Sequence, residues 1–143
     1  MCKVEKGTYT DTNKENKKTA ARYSQFDVVV ADLGNQPRGV QGGIRSVVII
    51  SNNQSNHKSS PQITVVPLTT KLKENPVHVL INPEDVKGYR LKAASHFIPE
   101  DIMTISKNRV MGKCGYIPEG SVVREQIVNA MIRQLGLVVT SKE

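Results

Sequence analysis

The run Gln41-Gly42-Gly43-Ile44-Arg45 brings a pair of glycines up to an arginine, and Leu68-Thr69-Thr70-Lys71 sets hydroxyls and a cation just past an apolar stretch. Glycines leave the backbone uncovered, so a phosphate can approach closely and free N–H groups can form an anion nest. The planar guanidinium of Arg45 can then hold two non-bridging oxygens at once. A threonine hydroxyl can donate to a phosphate or to an attacking oxygen. Together these groups suit chemistry at a phosphodiester. Each also has a plainer reading: Gly42-Gly43 as a hairpin loop, Arg45 as a solvated strand residue, and Thr69 or Thr70 as a turn former.

Other polar residues are candidates for binding rather than reaction. Asn56, His57 and Lys58 lie in the polar tract 52–61, and Lys71 and Lys73 follow Thr69 and Thr70. These are expected to touch a nucleic-acid backbone, although a charge run in a loop is more often merely solvated. A histidine pair could serve as acid and base near neutral pH. However, His57, His78 and His96 sit in three separate segments and share no ligand spacing, so a histidine-driven site is the weaker reading and a metal site weaker still.

The elements that would position these groups are mostly strands. Phe26-Asp27-Val28-Val29-Val30-Ala31-Asp32-Leu33 is a β-branched run ended by Gly34-Asn35, and a Gly/Pro-rich loop leads to a second strand from about Arg45 to Ser51. Ile63 to Leu68 reads as a third strand and Val77 to Ile81 as a fourth. Shorter ones are expected at Ser95 to Ile98, Met103 to Ile105 and near Tyr116. Short strands at this spacing predict a barrel or sandwich. The period then changes: Val123, Ile127, Ala130, Met131 and Leu135 recur at helical spacing between Ser121, a helix N-cap, and Gly136, a stop. One amphipathic helix should close the fold.

Composition sets the outer limits. A chain of 143 residues suits one domain and one core, expected over residues 25–143 behind a basic, flexible extension at 1–24. Lys and Arg number 20 against 13 Asp and Glu, and the larger share of the +7 lies in the body, where it would attract phosphate. No apolar run is long enough to span a bilayer. Cys2 and Cys114 form no Cys/His cluster, which fits a reducing cytoplasm.

Three segments in order carry a family resemblance. Asp27 to Leu33 followed by Gln41-Gly42-Gly43-Ile44-Arg45 and Val47-Val48-Ile49-Ile50-Ser51-Asn52 resembles a strand, a Gly-X-Arg-Pro loop and an aliphatic strand of the PemK/MazF toxin endoribonucleases. Ile63-Thr64-Val65-Val66-Pro67-Leu68-Thr69-Thr70 is similar to that family's strand running into a Pro-Ile/Leu-Thr step. Glu100 to Val110 resembles its Gln-Ile-Arg-Thr-Val-Asp-Lys-X-Arg-Leu block. Ser46 replaces the motif's Pro, Asp101 its Gln, Met103 its Arg and Ser106 its Asp. Asp101 and Met103 are expected to make the presumed RNA groove less cationic than in relatives.

The resemblance implies a mainly β, SH3-like barrel with a C-terminal helix, paired as a homodimer. It implies an enzyme that cuts single-stranded RNA without a cofactor or metal, by attack of the ribose 2′-hydroxyl, giving 2′,3′-cyclic phosphate and 5′-hydroxyl ends. Arg45 would be the central catalytic group, Thr69 rather than Thr70 its partner, and a cognate antitoxin with an acidic, disordered tail would hold the toxin inactive. Two other readings share the fold: a CcdB-like toxin that poisons gyrase by binding alone, and a catalytically silent nucleic-acid-binding member.

Overall fold

The computed structural model describes residues 22–58, 60–71, 75–88 and 91–137. Nearly all of the extension expected at 1–24 therefore lies outside the described residues, as does Lys73. Strands β1 (Asp27–Asp32), β2 (Ile44–Ile49), β3 (Gln62–Thr69), β4 (Val79–Ile81), β5 (Lys87–Gly88), β6 (Ser95–Phe97), β7 (Met103–Ser106) and β8 (Val110–Tyr116) form one antiparallel, half-barrel sheet. Its order is β4-β6-β3-β2-β1-β8-β5, with β7 also on β3. A four-residue helix α1 (Asn53–Asn56) interrupts the β2–β3 connection, and α2 (Val122–Leu135) follows the last strand.

Strand β3 organises the site end of the sheet. Along one edge it pairs with β2, and along the other it pairs first with β7 at Gln62 to Val65 and then with β6 at Leu68 and Thr69. The residues that make this sheet are β-branched because its central strands are covered on both faces, so the usual alternation of apolar and polar positions is lost. Val28, Val30, Val48, Val66 and Leu68 face one core cluster, which also takes in Phe97, Ile117 and the helix residues Val123, Ile127 and Ala130. Val29, Ala31, Val47, Ile49, Ile63 and Val65 face a second.

Helix α2 begins and ends where its caps require. The Ser121 hydroxyl oxygen accepts the Arg124 N–H at 3.3 Å, and Gly136 adopts φ 65°, the left-handed conformation that stops a helix. Val123, Ile127 and Ala130 are buried, and Arg124 lies over the Phe26 ring at 4.1 Å. Leu135, expected on the same apolar face, is 51% exposed.

Candidate active site

Arg45 opens β2 and Thr69 closes β3, and the antiparallel register makes these two ends neighbours. Val47 pairs with Pro67, so continuing the register by two residues sets Arg45 across from Thr69 with both side chains on one face. The hydrogen bonds of Arg45 agree: Nε donates to the Gly42 carbonyl at 2.8 Å, and Nη1 donates to the Leu68 carbonyl at 3.1 Å, beside Thr69. Two anchors on different chain segments fix the guanidinium plane and leave its remaining N–H groups to other acceptors.

The surroundings tune both groups. Burial pushes the Arg45 guanidinium below its ordinary pKa, and the nearby Asp101 carboxylate opposes that shift. Thr69 is buried at 9% exposure, and its Oγ1 accepts the Lys71 N–H at 3.2 Å, which turns the chain at the strand end and leaves the hydroxyl hydrogen able to donate. Thr70 and Lys71 are exposed immediately beyond.

The glycines do a different job from the one expected. The Gly43 N–H donates to the Gly34 carbonyl at 2.9 Å, so it is engaged in closing the loop and is not free for an anion nest. Gly43 needs its φ of 74°, and a Cβ on Gly42 would come within 2.8 Å of the Gly34 oxygen. Both positions demand glycine so that the loop folds back on itself and carries Arg45 to Leu68. Asp101, expected to add negative charge to the groove, is instead buried at 8% exposure and accepts the Gln41 N–H at 3.0 Å. It ties this loop to the connection before β7.

Asn56, His57 and Lys58 are not brought to this site. They lie at the opposite ends of β2 and β3, a full strand length away, roughly 20 Å at the usual rise per residue. Asn56 is 2% exposed; its side-chain amide donates to the Ser51 carbonyl at 2.7 Å, and its main-chain carbonyl accepts from Lys107 Nζ at 2.8 Å. That side chain builds the connection and has no open face for a ligand. His57 Nε2 lies 3.1 Å from the Ser24 hydroxyl.

The residues that the sequence left scattered are His78 and His96. Their rings stand 5.8 Å apart at 64°, His78 Nε2 lies 2.8 Å from Glu100 Oε2, and His96 pairs directly with Thr69 across β3 and β6. No spacing motif could have shown this, because the register of three strands creates it.

Residues 24–135 match the model of the family described as PemK-like, MazF-like toxins of type II toxin-antitoxin systems. The chain belongs to that family. Among its relatives, the endoribonuclease MazF of Staphylococcus saprophyticus is 35% identical over 111 residues, which is 78% of this chain and 89% of that protein. Two solved structures share the toxin's fold. MazF from Deinococcus radiodurans aligns with a TM-score of 0.68 at 16% identity, over 82% of this chain and 99% of that one. An endoribonuclease from a mycobacterial species, in complex with its cognate antitoxin, aligns with a TM-score of 0.62 at 24% identity, over 83% and 98%. Against the family pattern, this toxin's Ser46 is buried in β2, and its Asp101 serves the loop.

Proposed function

We propose that this toxin is an endoribonuclease that cuts single-stranded RNA without a metal, with Arg45 and Thr69 as its catalytic residues. The observation that carries this reading is the reach of Arg45 from the start of β2 to the end of β3, where its guanidinium is fixed by the carbonyls of Gly42 and of Leu68, next to Thr69 in sequence. The ribose 2′-hydroxyl attacks the adjacent phosphorus, and charge builds on the non-bridging oxygens. Arg45 presents its unanchored N–H groups to that charge, and such preorganised donors contribute about 3–4 kcal/mol to a transition state. Its lowered pKa also favours donating a proton to the departing 5′ oxygen. The Thr69 hydroxyl donates to a phosphate oxygen. The products are a 2′,3′-cyclic phosphate and a 5′-hydroxyl.

Gly42 and Gly43 shape the loop, while Thr70 and Lys71 flank the phosphate. Asn56, His57 and Lys58 take no part at the scissile bond. A cognate antitoxin neutralises the toxin by laying an acidic segment along the basic groove. We place the toxin in the cytoplasm, where its RNA substrate is, and propose that it works as a homodimer; among the described residues no helix is long and apolar enough to cross a membrane.

The test is cleavage of several long single-stranded RNAs in excess EDTA by the parent and by Arg45→Ala, with the cut ends mapped. The parent should cut at defined sites and leave cyclic phosphates, and the variant should lose activity by about 10²–10³-fold. Equal cutting by both would refute the assignment. No cutting by either would move the question to a gyrase-supercoiling assay.

A further inference from the structure

Thr69 and His96 are direct partners across β3 and β6, and the neighbouring pair Leu68 and Phe97 points into the core. Opposite residues on antiparallel strands share a face, with Cβ atoms about 4.5–5.5 Å apart. His96 therefore extends from the Thr69 side, on the same face as Arg45, and its other partner, Leu80 of β4, is exposed. The His96 ring itself is only partly covered.

Behind His96 the polar groups are one contact short of a chain. Glu100 Oε2 lies 2.8 Å from His78 Nε2; a carboxylate there draws the proton to that nitrogen, and the neutral His78 ring then offers a lone pair on Nδ1. The buried Nδ1 atoms of both His78 and His96 have no hydrogen-bond partner among the described residues. An unpartnered buried nitrogen is costly, and these two are complementary if His96 carries its proton on Nδ1. The rings already touch edge to face at 5.8 Å between centroids, and catalytic hydrogen bonds commonly tighten only when substrate binds. With Nδ1–H turned toward His78, the lone pair on Nε2 of His96 is left for the cleft.

We propose that His96 is a further catalytic residue of this site, accepting the proton of the ribose 2′-hydroxyl, with His78 and Glu100 as the positioning residues that hold its tautomer. The inference rests on the RNA-cleaving reading above. As the O2′–H bond breaks onto Nε2, the O2′–P bond forms; the P–O5′ bond then breaks, and O5′ leaves with a proton from Arg45. Solvent carries the proton from the imidazolium back to the guanidine, so nothing is consumed. Burial, and after it the charge of His78 when that ring is itself protonated, lowers the His96 pKa from its ordinary value, so the ring is neutral and able to accept at pH 7. The charged or titratable groups around it are His78 and Glu100 on one side, Arg45 and Asp101 on the other, and Lys71 beyond the end of β3.

The test uses the full chain and an RNA carrying one mapped cut site, with kcat and KM followed from acid to neutral pH. The parent should lose activity on the acid side with a one-proton slope, at the same midpoint as the His96 ring read by NMR. His96→Gln should lower kcat by about 10²–10³-fold with KM little changed, and should abolish the acid limb. His78→Gln should lower kcat by less, roughly 10-fold, and move that limb. An acid limb in the parent whose midpoint differs from that of the His96 ring overturns the proposal without any variant. So does His96→Gln cutting within about threefold of the parent with its limb intact. If in that case Arg45→Ala is still inactive, only the role of His96 falls; if Arg45→Ala is active, the whole site does.

Discussion

The connection before β2 and the connection after it are both polar, and both are tied down by a side chain from the far part of the chain. Asp101 takes the Gln41 N–H in the first, and Lys107 gives a hydrogen bond to the Asn56 carbonyl in the second. They differ in where their own polar side chains point. In the second, the Asn56 amide and the Ser51 hydroxyl bond to each other and to the backbone, so the connection satisfies itself. In the first, the Gly43 N–H to Gly34 carbonyl bond and the Asp32 and Asp101 carboxylates close the loop, and Arg45 gives only Nε to it, so Nη1 reaches across to β3 with N–H groups to spare. A polar loop becomes a site when its backbone is closed without using up its charged group.

The largest break in that contrast comes from Arg45→Lys, which keeps the charge and removes the fork. An ammonium cannot hold the Gly42 and Leu68 carbonyls and a phosphate together in one plane. Cleavage should fall by about 10²-fold in kcat with a smaller change in KM, as expected when preorganised donors are lost. Retention of near-parental kcat would mean that charge alone suffices and that the loop geometry is incidental.

Asp101 sharpens the contrast by separating its tether from its charge. Asparagine can still accept the Gln41 N–H, while alanine cannot. Asp101→Asn should keep the loop while removing the carboxylate that raises the Arg45 pKa, so that pKa falls further and kcat stays within about threefold of the parent. Asp101→Ala should lose the tether too, with kcat down roughly tenfold and faster exchange of the Gln41 amide hydrogen. If Asp101→Ala cuts as fast as Asp101→Asn, the tether to Gln41 is incidental to the placing of Arg45.

How much of this was legible in the sequence depends on whether the cause was local. The β-branched run through Val28, Val29 and Val30, the Ser121 cap and the Gly136 stop act within a few residues, and the elements appear where they point. The candidates Arg45 and Thr69 were singled out by the order of three motifs, since neither residue alone is specific. The His78–His96 contact was not legible, because it depends on β6 pairing with both β3 and β4. Asn56 and Asp101 were misjudged for one shared reason: a polar residue in a loop reads as exposed until its side-chain partners are known, Ser51 and Asn53 for Asn56 and the distant Gln41 for Asp101.

The smallest effect on catalysis, and the one that tests the other half of the comparison, is at Asn56. Truncation to alanine strands the Ser51 hydroxyl and carbonyl in a buried connection, and such a loss costs about 1–3 kcal/mol of stability. In a domain of this size that lowers Tm by several degrees, roughly 2–8 °C per kcal/mol. Lys58→Ala, at an exposed neighbour, should leave Tm within about a degree, since surface substitutions usually stay within about 0.5 kcal/mol. Well below the melting point, both variants should cut the mapped site within about twofold of the parent, because neither side chain approaches the scissile phosphate. A thermally normal Asn56→Ala with impaired cleavage would reverse the assignment of the two connections, and calorimetry beside a single-site cleavage assay decides it.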